Sequence, residues 1–212
     1  MKKTETGFTL AEVLLTLTVI GVVAALTIAP LIQSVKEADM RVRWKKAYSV
    51  IEQATRKLLV NDVAGSFQNY FTSDVDLRDK YATYLIYTKI CNSGVVNGNC
   101  WANVKYLDGT SPPQSWFDSA SLISPDGSFI QFQMNSSQDC NKTSWWGGLP
   151  KCGVILVDVN GLKGPNTFGK DMFGAQILST SIKPIGVVGD SLDNTCSTSS
   201  TGYGCSTLYL MQ

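Results

Sequence analysis

The chain has 212 residues, 44% of them apolar and only 17% charged, and its 18 Lys and Arg nearly balance its 17 Asp and Glu. That is enough apolar material for a core, and it lacks the basic excess of a nucleic-acid-binding domain, so no nucleic-acid binding is expected. Histidine is absent, which removes Ser-His-Asp and Cys-His catalysis, His general bases and His metal sites.

The charge deficit sits at the front. Phe8 to Ile32 read FTLAEVLLTLTVIGVVAALTIAPLI, 25 residues with one charge, Glu12. At about 1.5 Å per residue such a helix crosses the roughly 30 Å of a bilayer core. The preceding MKKTETG is short and polar, and Lys2 and Lys3 keep that end cytoplasmic. Ala24-Ala25 and Ala29 mimic a secretory cleavage site, but the helical pattern runs past them unbroken, which fits an anchor better than a discarded leader. A carboxylate in an apolar helix costs about 2.5–3.5 kcal/mol on insertion scales, so Glu12 calls for a partner.

Gly7-Phe8-Thr9-Leu10-Ala11-Glu12, after a basic leader and before an apolar helix, resembles the class III signal of type IV pilins and type II secretion pseudopilins. The resemblance implies cleavage by prepilin peptidase between Gly7 and Phe8 and N-methylation of Phe8. It also implies that Glu12 pairs with the N-terminal amine of a neighbouring subunit. Ammonium and carboxylate attract strongly in a low dielectric, and each alone would be expensive there. Gly21 matches the mid-helix glycine of that family, whereas Pro30 stands one place beyond the family's proline, where this chain has Ala29. The implied fold is α+β, a long N-terminal helix packed on a small antiparallel sheet. Residues 1–7 would be the leader and 8–32 the transmembrane and assembly half of the helix. Residues 33–62 would be its amphipathic half and 63–212 an extracytoplasmic, disulfide-tied, β-rich head. The implied partners are other pilin subunits, prepilin peptidase, the inner-membrane assembly machinery and membrane lipid. The implied location is the inner membrane, then a pilus or pseudopilus.

Along the rest of the helix, to about Val60, Met40, Trp44, Ala47, Tyr48, Ile51, Ala54 and Leu58 recur at helical steps. The other face is basic and reads as solvated. Beyond Val63 the chain alternates Gly/Ser/Asn-rich turns with short β-like stretches: Tyr84 to Ile90, Trp101 to Leu107, Ser128 to Met134 and Gly153 to Val159. A short helix is expected around Leu77 to Tyr84, and Ser124-Pro125-Asp126-Gly127 reads as a tight turn. In SFIQFQM, Phe129, Gln131 and Gln133 share one face and Ile130, Phe132 and Met134 the other. GVILVDV reads as a buried central strand. Similar sequences run a few residues beyond Tyr209-Leu210-Met211-Gln212, so a shortened last element is expected if the chain stops there.

Asp158 to Phe173 pack glycines, a proline and Asx residues into one loop. Asp158, Asn160, Asn166 and Asp171 offer the hard oxygen ligands that calcium takes, although the closing glutamate of an EF-hand is missing. The competing reading is a turn held by Asx side chains, and it is preferred. No other cofactor is implied. Six cysteines lie beyond the long helix, as an exported disulfide framework would place them. Fifteen connectivities are open; pairing Cys91 with Cys100, Cys140 with Cys152 and Cys196 with Cys205 brackets three turn-rich loops. Zinc is disfavoured, without His or a CxxC. Pilins carry a similar disulfide-bounded region near the C-terminus, which implies subunit or receptor contacts for the Cys196 loop. Trp145-Trp146 suggests a binding patch or packing under a disulfide loop, and Asn141-Lys-Thr143 is a weak glycosylation match.

The function this implies is a structural, non-enzymatic subunit of a type IV pilus or type II secretion pseudopilus. The alternatives are a minor pilin or adhesin using Trp145, Trp146 and the Cys196 loop, or a membrane-anchored extracytoplasmic protein of other function. No motif supports an enzyme.

Overall fold

The computed structural model describes residues 7–92, 100–135, 139–141 and 148–212. Helix α1 (Leu10–Asn61) is 52 residues long and continues through Pro30. The proline removes one intrahelical N–H but does not end the helix here. The chain divides into two compact units between Asp39 and Met40, inside α1.

In the first unit the described residues are exposed, apart from a partly buried Ala24. In the second, the periodic apolar set becomes a buried face. Trp44, Ile51, Ala54 and Leu58 are buried, and Met40, Ala47 and Tyr48 pack partly against the same core. Trp44 stacks on Phe173 at 5.2 Å and donates from Nε1 to Ser206 O at 2.9 Å. Helix α2 (Asp74–Ala82) follows, started by the Ser73 side chain, which accepts from Asp76 N, with Asp74 and Asp76 in its first turn.

Six strands form one antiparallel meander in chain order: β1 (Lys89–Cys91), β2 (Ser121–Ile123), β3 (Phe129–Met134), β4 (Gly153–Asp158), β5 (Met172–Ile177) and β6 (Ile182–Pro184). Helix α3 (Cys205–Met211) packs beside β5. The expected turn before β3 is present: Gly127 N donates to Ser124 O at 2.9 Å, and Asp126 Oδ1 accepts from Ser128 N and Oγ.

Both sheet faces are covered. Ile130, Phe132, Ile155, Val157, Phe173 and Ala175 face α1 and α2. Phe129, Val154, Leu156 and Met172 face a second core built from loops, with Trp101, Val104, Phe117, Phe168 and Tyr203. Strand β4 is therefore buried at every residue, as its apolar run predicts. Strand β3 keeps its predicted alternation, but its glutamine face is not solvated. Gln133 Nε2 donates to Trp116 O at 2.8 Å and Gln131 Nε2 to Phe117 O, fastening a short 3-10 helix (Gln114–Phe117) over the sheet.

Two expected strands differ. Trp101 to Leu107 forms none, only an isolated bridge from Lys105 to Thr167. Its backbone groups are shared among separate partners: Val104 with the Gln114 amide, Lys105 with Asn166 and Phe168, Leu107 with Thr201. Of Tyr84 to Ile90 only the end is strand, because Tyr84 N and Leu85 N both bond back to Tyr81 O.

Candidate functional site

The first site is the start of α1. Thr9 precedes the first helical residue and Glu12 lies three further on, the spacing of a capping box. Thr9 N donates to Glu12 Oε2 at 2.8 Å, Thr9 Oγ1 donates to the same oxygen at 2.9 Å, and Glu12 N donates to Thr9 Oγ1 at 3.3 Å. Two otherwise orphaned N–H groups are thus satisfied, with a negative charge at the positive end of the helix. Every bond to the carboxylate ends on Oε2, so Oε1 has no partner among the described residues. Phe8, on the same side, is 88% exposed. The Gly7-Phe8 peptide is thus accessible, with a carboxylate one helical turn beyond it. Lys2, Lys3 and the rest of the leader before Gly7 lie outside the described residues.

The second site is the loop between β4 and β5. The four sequence candidates do come together. Asp158 is 1% exposed and accepts from Asn160 N at 3.1 Å; Asp171 is fully buried and accepts from Asn166 N at 2.8 Å and Thr167 N at 2.7 Å. With its amide nitrogen turned inward, Asn166 donates to Gly161 O and Asp158 Oδ2 at 3.1 Å and to Lys163 O at 3.2 Å. Gly161 has φ +67°, and a Cβ there would meet Gly127 O at 2.4 Å, so glycine is required. Burial pushes the Asp158 carboxyl well above its ordinary range, helped by the charge of Asp171, and burial raises Asp171 as well.

Calcium takes six to eight oxygens. Asp171 already gives both its oxygens to backbone N–H groups, and the described residues contain no cluster of three or more acidic, Cys or His side chains. Asn160 Oδ1 is a buried acceptor without a bond. The inward nitrogen of Asn166 closes the loop with no ion; an inward oxygen would face three other oxygens and require one.

The disulfides pair neighbours: Cys91–Cys100, Cys140–Cys152 and Cys196–Cys205. The buried Arg78 ties the first to α2, with Nη1 donating to Cys91 O at 2.6 Å. The Cys196–Cys205 loop is woven into the outer layer. Thr201 O and Ser200 O accept from Leu107 N and Asp108 N, and Gly202, at φ +87°, lies so close to Phe168 O that a Cβ would come within 2.4 Å. Trp145 and Trp146, and Lys142 and Thr143 of the glycosylation match, lie outside the described residues.

Sequence reading found Glu12 through its motif but missed Thr9 as its partner, although Thr9-Leu10-Ala11-Glu12 is itself a capping-box pattern. It also missed a buried polar cluster. Lys151, fully buried, donates from Nζ to Leu149 O at 2.9 Å. Gln176 Nε2 donates to Asp190 at 2.5 Å, and Asp190 also accepts from Gly186 N and Leu192 N. No short motif announces that cluster, because its members are far apart in the chain.

Residues 2–28 match the prokaryotic N-terminal methylation motif, which is the class III signal of type IV pilins and pseudopilins. The chain thus carries the mark of a prepilin-like substrate of prepilin peptidase. Among the described residues, one helix is long and apolar enough to cross a membrane, and it begins inside that motif. No curated protein and no solved structure matches the chain.

Proposed function

We propose that this chain is a structural subunit of a pilus-like filament, a type IV pilus or a type II secretion pseudopilus. In this reading prepilin peptidase cuts between Gly7 and Phe8, Phe8 is N-methylated, and assembly proceeds through α1. The observation that carries the reading is the methylation motif on a helix whose first half is apolar and exposed while its second half buries one face in the head. Lipid covers such a half before assembly, and neighbouring helices cover it afterwards. The held Glu12 supports the pairing role: Thr9 fixes one carboxylate oxygen, and the other is open to a neighbour's ammonium. Three disulfides support an extracytoplasmic head, with the subunit waiting in the inner membrane.

Mass spectrometry of the mature protein should find Phe8 at the N-terminus, heavier by one methyl group. An intact Met1 terminus in cells with active peptidase would remove the reading. Glu12→Ala should leave the melting temperature of the head unchanged and abolish filaments; normal filaments from that variant would end the pairing role. Deleting the gene separates the two systems, since loss of surface filaments points to a pilus and loss of an exported protein to a pseudopilus. For the β4–β5 loop we propose an ion-free staple, so chelator should not change the melting temperature. A rise on adding calcium would instead assign Asp158, Asn160, Asn166 and Asp171 as its ligands.

A further inference from the structure

The six cysteines of the head differ in what surrounds them. Cys91, Cys100, Cys140, Cys152 and Cys205 are buried, at 7%, 4%, 3%, 2% and 0% exposure. Cys196 is half-buried. A thiol exchanges with a disulfide only by reaching one of its sulfurs, so access decides which bridge reacts and at which end. In the folded head two bridges are closed at both ends, and Cys196–Cys205 is open at one.

The open end faces a cavity of about 250 Å³, lined by Cys196 and not by Cys205. Val188, Leu208 and Met211 give the cavity an apolar wall, and its one charged lining residue is Asp193. Asp193 Oδ1 accepts from Asn194 N at 2.8 Å, while Oδ2 makes no bond among the described residues. Breaking the bridge leaves other ties on the start of α3. Gly204 N donates to Thr195 Oγ1 at 2.8 Å, Gly174 N to Ser206 Oγ at 2.9 Å and Thr207 Oγ1 to Ile185 O at 2.8 Å. The bridge can therefore open without the head unfolding.

We propose that Cys196–Cys205 is a thiol-exchange site entered at Cys196, and that its cavity takes a small thiol bearing a positive charge. The incoming thiolate bonds to the Cys196 sulfur as the bond from Cys196 to Cys205 breaks. Cys205 leaves with the bonding pair and takes up the proton that the incoming thiol gave up on ionising. One disulfide and one thiol become one mixed disulfide and one thiol, so no further oxidant or reductant is needed. The direction is fixed because Cys205 is sealed: a Cβ on Gly169 would come within 2.6 Å of its sulfur. Charge sets the preference. Asp193 attracts the ammonium of an aminothiol and repels a thiol that carries a carboxylate, the more so at low salt. The site lies within the head and does not depend on the filament reading.

The test treats the full-length chain, in detergent, with cysteamine or with thioglycolate at low salt. Reaction is stopped by acid and the adducts are mapped by peptide mass spectrometry. The first adduct should sit on Cys196, with Cys205 newly free and the other two bridges intact. Its rate should not change in urea too dilute to unfold the head. A first adduct on any other cysteine, or a rate that rises with urea as global unfolding does, would overturn the entry at Cys196. Each rate is then divided by that of the same bridge in the urea-unfolded chain, which removes the intrinsic reactivity of the two thiols. Cysteamine should be favoured several-fold over thioglycolate on this scale, and Asp193→Asn, which keeps the Oδ1 acceptor, should abolish the preference. Equal scaled rates in the unaltered chain, or a preference that survives Asp193→Asn, would overturn the selection by charge.

Discussion

The two halves of α1 share one backbone and differ in what covers them. In the lower half Leu14, Leu17 and Leu31 are each more than half exposed; in the upper half Trp44, Ile51 and Leu58 are fully buried. Helix propensity favours the upper half, since Val, Ile and Thr fill much of the lower one, yet both are helical. The difference lies in where the partner comes from. The upper half needs only one apolar face because the sheet supplies the other side. The lower half is apolar nearly all round because its cover must come from outside the chain. Amphipathicity thus records how much of its own packing a chain provides.

That contrast can be broken most sharply by truncation. A head beginning at Met40 should melt cooperatively, because it keeps the whole buried face of α1. A head beginning at Asp62 loses Trp44, Ile51, Ala54 and Leu58 and should give no cooperative transition by circular dichroism. Cooperative melting of the shorter piece would mean that α1 is not part of the core. A single substitution comes next. Trp44→Ala removes a fully buried ring and its bond to Ser206 O, and should cost about 3–5 kcal/mol by denaturant titration. Leu17→Ala should leave the head's stability where it was, and a matched loss in both variants would erase the distinction.

The smallest effect separates the regions by titration. Burial pushes the Lys151 ammonium from an ordinary 10.5 down to about 8, with the charge of Asp190 opposing. A lowered lysine contributes stability that is present above 10.5 and is lost as the pH falls through about 8. Asp158 and Asp171 are raised, so their contribution is present below an ordinary carboxylate pKa and is lost as the pH rises through their folded values. Tyr48, pushed up to about 12 mainly by burial, lowers stability only once unfolded tyrosine ionises above 10. The head should therefore grow more stable from about pH 8 to about pH 10. Lys151→Met should flatten that slope, and a flat wild-type profile would dismiss the lysine as its source.

The elements legible in the sequence are those whose residues obey one demand. Helix α1 and strand β4 are long or continuous enough that burial alone writes their pattern, and β3 alternates cleanly. Strand β5 was missed because Gly174 interrupts it; a Cβ there would meet Ile185 Cδ1 at 2.4 Å. Strands β2 and β6 have three residues each, too few to show a period, and β6 ends in Pro184. Trp101 to Leu107 has the apolar content of a strand because it lines the outer core, but Gln114 and Thr201 take backbone groups that a ladder would need. At the site, Glu12 was legible because a charge in an apolar run has few explanations. The role of Asn166 was not, since one amide serving Gly161, Lys163 and Asp158 depends on a loop path that no local rule supplies.

The bond from Trp44 to Ser206 joins residues 162 positions apart. A chain made from its N-terminus presents this indole long before the carbonyl that caps it. The same late segment brings Cys205, whose bridge to Cys196 fixes the start of α3, and Tyr209, whose ring lies 4.2 Å from the Arg41 guanidinium. The base of the head is therefore the first part to emerge and the last to be sealed. An oxidant that reaches the chain too early finds Cys91, Cys100, Cys140 and Cys152 before the pair that locks the tryptophan in place.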